Sequence, residues 1–256
     1  MLILLPPSEG KYAPRRGKPL DLSSLGSPRL TGARERVLAA LEELSARPDA
    51  AEVLGIGSTQ ADLVGLNARV RTAPTARADA VYTGVLYDAL SFADLSPAAR
   101  RRATSRVAVV SSLFGLVRPG DRIPAYRLSG DVSLPGVGSV AGVWREELGP
   151  AVLDALGTGL LVDLRSSTYA AFWRPPAELV RRTSTVRVLH ESGGRRSVVS
   201  HFNKATKGRI VRALLEDGRN PATPAALARV LGDLGWHVEA TAERTGTRLD
   251  VVVSDL

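Results

Sequence analysis

The sequence predicts an α/β fold, mixed α+β in detail: a single domain over residues 1–256, with a mixed β-sheet flanked by helices and a helix-hairpin-helix-like element. Three observations carry this expectation. Short continuous apolar runs at 2–5, 107–110 and 160–164 read as buried strands. Stretches with helical apolar spacing separate them, so strands and helices are mixed along the whole chain. No repeat, low-complexity tract or linker divides the 256 residues, a length that fits one large domain or two small ones.

Taken in order, Met1–Leu5 opens as a first buried strand, and the Pro-, Gly- and Arg-rich residues 12–30 form a surface loop. A helix is expected from Thr31 to Ala46, with Thr31 as its cap and Val37, Leu38, Leu41 and Leu44 inward. Residues 72–80 read as a second loop, Tyr82–Leu95 as helical or turn elements, and Pro97–Thr104 as a helix. The strand at Val107 follows, then a helix from Gly142 to Leu156 with Trp144 and Leu148 inward, then the strand at Leu160. Thr185–Glu191 and Ser197–Phe202 flank Ser192-Gly193-Gly194-Arg195 as a hairpin. A helix after Asn203 runs to Glu216, another covers Pro224–Leu234, and Trp236–Ala242 and Arg248–Val253 close the chain as a hairpin.

Composition removes several classes of function. With no cysteine there is no disulfide, thiolate zinc site, iron–sulfur cluster or Cys nucleophile. Three histidines and the lack of a Glu-x-x-His pair make direct iron sequestration a poor reading. No metal and no cofactor are expected. The N-terminal apolar run is too short for a signal peptide, and no stretch reaches the length of a membrane span, so the expected location is cytoplasmic, with no membrane partner. The formal net charge of +8 and pI of about 10.4 favour polyanionic partners, although an arginine-rich composition alone produces many basic chains.

That arginine bias makes the lysines informative. Of 34 basic residues only Lys11, Lys18, Lys204 and Lys207 are lysine. Three of them fall in two dense motifs, Pro6-Pro7-Ser8-Glu9-Gly10-Lys11 and His201-Phe202-Asn203-Lys204-Ala205-Thr206-Lys207-Gly208. A lysine changes its pKa on burial, and arginine does not replace it there. The first motif follows a buried strand, where open α/β sheets bind ligands. It is not a phosphate-binding P-loop, because Leu5 and Tyr12 stand where glycine and Ser or Thr are required. The second motif sets Lys204, Lys207 and Arg209 near a helix start, where a bound anion offsets the dipole.

Other strand ends carry polar clusters. Ser111-Ser112 and Pro124-Ala125-Tyr126-Arg127 follow the Val107 strand, with Arg118 between them; both arginines suit carboxylate or phosphate. Asp163 and Ser166 to Tyr169 follow the Leu160 strand, Asp163 being a general base or, on base rates, an ion-pair anchor. These segments are expected to converge on one basic cleft. Ser8, Lys11, Arg118, Tyr126, Arg127, Ser166, Tyr169, Asn203, Lys204 and Lys207 are its anion-binding candidates; Lys11, Tyr82, Ser166 and Lys204 are its catalytic ones. No serine has an evident base beyond His201, which argues against a Ser-His-Asp triad. Separately, Val53–Leu63 resembles a helix-hairpin-helix, with Gly55, Gly57, Ser58 and Thr59 offering backbone N–H groups to a phosphate; an ordinary helix–helix turn has the same glycine spacing.

The ordered set of motifs resembles the YaaA family of peroxide-stress proteins. It comprises the Met1-Leu-Ile-Leu4 opening with its nearby lysine, Val81-Tyr-Thr-Gly84, Ser111-Ser-Leu-Phe-Gly-Leu-Val-Arg-Pro119, Pro124-Ala-Tyr-Arg-Leu128, the Trp144 helix and Lys204-Ala-Thr-Lys-Gly208. The resemblance spans essentially the whole chain. It implies a cytoplasmic single-domain protein that guards against hydrogen peroxide, limits free iron and DNA damage, and binds double-stranded DNA without sequence preference. It also implies that Lys11, Tyr82, Arg118, Tyr126, Arg127, Lys204 and Lys207 line the cleft. The alternative is an enzyme acting on a nucleotide, nucleobase or other anionic small molecule there. Oligomeric state is not legible.

Overall fold

The computed structural model describes residues 1–57, 62–198 and 200–254. Its centre is an eight-stranded mixed sheet: β1 Leu2–Leu5, β2 Val107–Ser111, β3 Gly115–Val117, β4 Leu161–Asp163, β5 Thr183–Ser192, β6 Arg195–Ser197, β7 His237–Glu243 and β8 Gly246–Val253. The spatial order is β7-β8-β5-β4-β1-β2-β3, with β6 on β5. Five strands, β8, β5, β4, β1 and β2, run parallel; β3, β6 and β7 are antiparallel additions. Every residue of β1 is fully buried, which is why Leu-Ile-Leu-Leu is apolar without alternation: helices cover both faces of a parallel sheet.

Six helices frame the sheet: α1 Thr31–Ser45, α2 Val85–Leu90, α3 Pro97–Arg106, α4 Val140–Leu156, α5 Ser200–Asp217 and α6 Pro224–Asp233. The expected stripe of α1 is buried, but Thr31 is not its cap. A 3-10 turn at Pro28–Leu30 leads straight into the helix, so Leu30 holds the cap position without a side-chain bond. Ser139 caps α4 by accepting the Gly142 N–H at 3.1 Å, and the helix therefore starts ahead of Gly142. Trp144, fully buried on its inner face, donates Nε1–H to the Ser112 carbonyl at 2.6 Å.

Two expected segments differ. Ala76–Arg77 pairs antiparallel with Arg122–Ile123 and runs into a turn of helix at Ala78–Val81, so 72–80 is not all loop. The second hairpin strand is only Arg195–Ser197, exposed throughout, and α5 already begins at Ser200. Lys204 thus lies one turn inside the helix and Lys207 and Arg209 two turns or more, beyond the reach of most of the end dipole. Around the proposed hairpin-helix turn, Ala50–Val53 and Asp62–Asn67 are short helices and Gly55 has φ +62°. Ser58 and Thr59 lie outside the described residues.

The strand order creates the site. From β1 the chain reaches β2 on one side; after β3 it returns to β4 on the other side of β1. The loops leaving β1 and β4 therefore diverge at the carboxyl edge of the sheet. Such a switch point leaves a crevice there.

Candidate functional site

A cavity of about 320 Å³ occupies that crevice. The loop after β1 (Pro6 to Gly10) forms one wall and Thr83 to Tyr87 the next; Ser166 and Tyr169 after β4, and Lys204 from α5, complete it. Ser8 joins two walls: its Oγ donates to the Gly10 carbonyl at 2.6 Å and accepts the Thr83 N–H at 3.1 Å. Tyr87 ties them again by donating to the Pro6 carbonyl at 2.7 Å.

Behind these walls lies a layer of tyrosines. Tyr82 stacks on Tyr87 with centroids 5.4 Å apart, and its hydroxyl meets that of Tyr126 at 3.1 Å. Tyr126 in turn meets Ser111 Oγ at 2.7 Å. Direction follows from valence. Ser111 Oγ accepts two backbone N–H groups, from Leu113 and Phe114 at 3.2 and 3.0 Å, so both lone pairs are used and its proton goes to Tyr126. Tyr126 then donates to Tyr82. Burial pushes the hydroxyls of Tyr82, Tyr87, Tyr126 and Tyr169 up, so all four stay neutral.

Lys11 packs against this layer. Its backbone bridges to Tyr82, and its Nζ sits 4.1 Å from the Tyr126 ring centroid and 5.8 Å from that of Tyr82. Nζ donates to the Ser8 carbonyl at 2.7 Å. Among the described residues no carboxylate pairs with it, and burial pulls its ammonium down to about 7. Lys207 is also pulled down by burial, against the opposing charge of Asp163; its Nζ donates to the Leu164 carbonyl at 3.3 Å. Lys204 is exposed at the rim and has no ion pair among the described residues.

The remaining candidates divide. Arg127 forms an ion pair with Glu9, a cavity residue, while its backbone exchanges two bonds with the Asn67 amide at 2.8 and 2.7 Å. Asp163 takes the anchor role, gripping Arg165 at 2.7 Å in a buried pair. Arg165 also donates to the carbonyls of Tyr169 and Trp173 at 3.1 and 2.9 Å, so this pair shapes the segment that delivers Ser166 and Tyr169. Asn203 has a buried side-chain oxygen without a partner. Arg118 is not in the group. The β3 return carries it back beside the start of β2, where it donates to the carbonyls of Ser105 and Val107, both at 3.2 Å. Nothing is described of the His201 side chain.

Glu9 and Tyr87 enter the site without having been singled out from sequence. For Tyr87 the available signal was scarcity: the chain has five tyrosines, and four meet here. A larger groove of about 680 Å³ lined by Arg77, Phe92, Pro97, Arg100 and Arg101 lies apart from this constellation, with Arg77 held by Asp79 and Arg100 by the Ala93 carbonyl. Among the described residues no three His, Cys, Asp or Glu side chains converge as metal ligands, and no helix is long and apolar enough to cross a membrane.

Fold and site define an α/β protein with a small-molecule-sized crevice at a topological switch point. Residues 1–242 match the family described as peroxide stress protein YaaA, and the chain belongs to that family. It is similar over the full length of both chains, at 51% identity, to a UPF0246 protein of Streptomyces coelicolor. A UPF0246 protein of Corynebacterium efficiens is 43% identical across 98% of this chain and all of its own. One from Corynebacterium glutamicum is 42% identical across 84% of each.

Proposed function

We propose that this peroxide-stress protein acts in the cytoplasm through the cavity between the ends of β1 and β4, by binding a small anionic molecule of the nucleobase or nucleotide class. Any limitation of iron- and peroxide-driven damage then follows indirectly from that ligand. The observation that carries the reading is Lys204, a cation without an acidic partner among the described residues, at the rim of a crevice walled by Pro6, Pro7, Val85, Leu86, Tyr87 and Tyr169. Apolar walls with two tyrosine rings suit a planar ring, and one unpaired cation suits its charged group. Ser166 and Thr83 supply hydroxyls at the same walls.

The test is a thermal-shift screen of nucleobases, nucleosides and nucleotides on the wild type and on Lys204→Ala. At least one anionic member should raise the Tm of the wild type by several degrees, as about 2.7 kcal/mol at a hundredfold excess over Kd requires. The variant should lose most of that rise. If no compound shifts the wild type, the reading fails.

A second reading, sequence-independent binding of double-stranded DNA, is favoured by one observation: Gly55 adopts a left-handed turn between two short helices in a chain of net charge +8. There the turn's N–H groups would meet backbone phosphate.

A further inference from the structure

Lys11 is a buried amine that charge binding at the rim does not use. Lysine usually extends its ammonium to water along an apolar stem. Here Nζ turns inward, donating to the Ser8 carbonyl at 2.7 Å and lying over the Tyr126 ring. Ser8 belongs to the cavity wall, so the amine contacts a residue of that wall, and Lys11 keeps partial exposure. Glu9 and Arg127 neutralise each other, and burial keeps Tyr82 and Tyr126 neutral. Among the described residues nothing around Lys11 stabilises a positive charge beyond two ring faces and the carbonyls of Ser8 and Glu9, at 2.7 and 3.5 Å. Arginine would serve those contacts as well, and this chain uses arginine almost everywhere else. What arginine cannot supply is a nitrogen lone pair.

We infer that Lys11 is an amine nucleophile that condenses with a small carbonyl compound bearing an acidic group, the acidic group being held by Lys204. The inference goes beyond the nucleotide reading and rests on it only for the role of Lys204. The Nζ lone pair attacks the carbonyl carbon; a C–N bond forms and the C=O π pair moves to oxygen. One amine proton passes to that oxygen, giving a carbinolamine. The C–O bond then breaks, the oxygen leaves as water with the second amine proton, and an imine remains. No oxidant or reductant enters. Burial has already lowered the pKa to about 7, so the neutral amine is present at neutral pH, as in other desolvated lysine nucleophiles.

The full-length protein is treated at pH 7 with glyoxylate, and in parallel with propionaldehyde, in the presence of cyanoborohydride, and the four lysines are read by peptide mass mapping. Exposed Lys18 is the internal control. Lys11 should be alkylated by glyoxylate at least about tenfold faster than Lys18, with its own rate levelling off above pH 7. Lys204→Ala should slow glyoxylate at Lys11 and leave propionaldehyde unchanged. A Lys11 that reacts no faster than Lys18 with either reagent overturns the inference; Lys11 labelling by both aldehydes at equal rates overturns its acidic-substrate part. Labelling is read without any nucleotide, so an unsuccessful melting screen leaves its result standing.

Discussion

Lys11 has a cost in stability that follows from its burial. Its ammonium falls from 10.5 to about 7 in the folded chain. Between those pH values the unfolded chain holds a proton that the folded chain lacks, so stability rises with pH across the window and falls as pH drops toward 7. Below about 7 both states are protonated and the penalty is complete. Lys11→Met should therefore be more stable than the wild type at pH 6, on the order of 1–3 kcal/mol, and equal to it near pH 10.5. Urea denaturation at the two pH values measures this; a constant difference would mean that packing, not charge, sets it. The Asp163–Arg165 pair shows the opposite arrangement, two buried charges that answer each other and two carbonyls besides. Residue identity made Lys11, Lys204 and Lys207 legible, because lysine was rare against an arginine background. Tyr82 and Tyr126 were legible through their motifs, but an aromatic residue is equally at home in a core, so identity alone did not separate Tyr87 from packing.

Packing of α5 on α2 determines where the cavity walls stand. A Cβ built on Gly208 would lie 2.2 Å from the Leu86 carbonyl oxygen and 2.9 Å from the Ala89 Cβ. The two helices therefore touch backbone to backbone at this position, and Lys204, one turn earlier on α5, is delivered to the same cavity as Leu86 and Tyr87. Gly208→Ala adds helix propensity, yet it must push α2 away. The expected result is a net loss of about 1–3 kcal/mol, together with weaker binding of whichever nucleotide stabilises the wild type. Thermal melting with and without that compound reads both effects; an unchanged or raised Tm would contradict the close contact. The early start of α5 belongs to this scale too. Arg195–Ser197 is an exposed edge that buries no side chain, and α5 packs on α2 instead.

Across the molecule, much of the arginine excess is structural. Arg34 is fully buried and donates to the carbonyls of Phe114, Gly26 and Leu116. Arg102 reaches the Leu215 carbonyl, and Arg212 those of Leu90, Ser91 and Asp94, tying α2, α3 and α5 together. These groups have fewer donors to spare for phosphates. If duplex DNA is a partner, its binding should depend steeply on salt, weakening by roughly 10³–10⁵ between 50 and 200 mM for 6–10 phosphate contacts, and Lys204→Ala should change it little. Fluorescence anisotropy at the two salt concentrations decides this; a change below about tenfold removes the DNA reading.

The sequence by itself marked β1, β2, β4, β5, β7 and β8, the inner faces of α1 and α4 and the approximate ends of α1, α3, α4 and α6, but not β3, β6 or the start of α5, because burial of a local segment is written in its own apolar spacing. It also marked the strand ends where polar residues gather. Tertiary structure alone decided that β4 and β2 lie on opposite sides of β1, which opens the crevice between the loops of 6–10 and 166–169. It alone removed Arg118, since the antiparallel return of β3 carries that side chain to the far end of β2. The physical reason is the same in both cases. Periodicity reports whether a segment is buried, whereas strand order and chain reversal depend on which buried faces find each other across long stretches of chain.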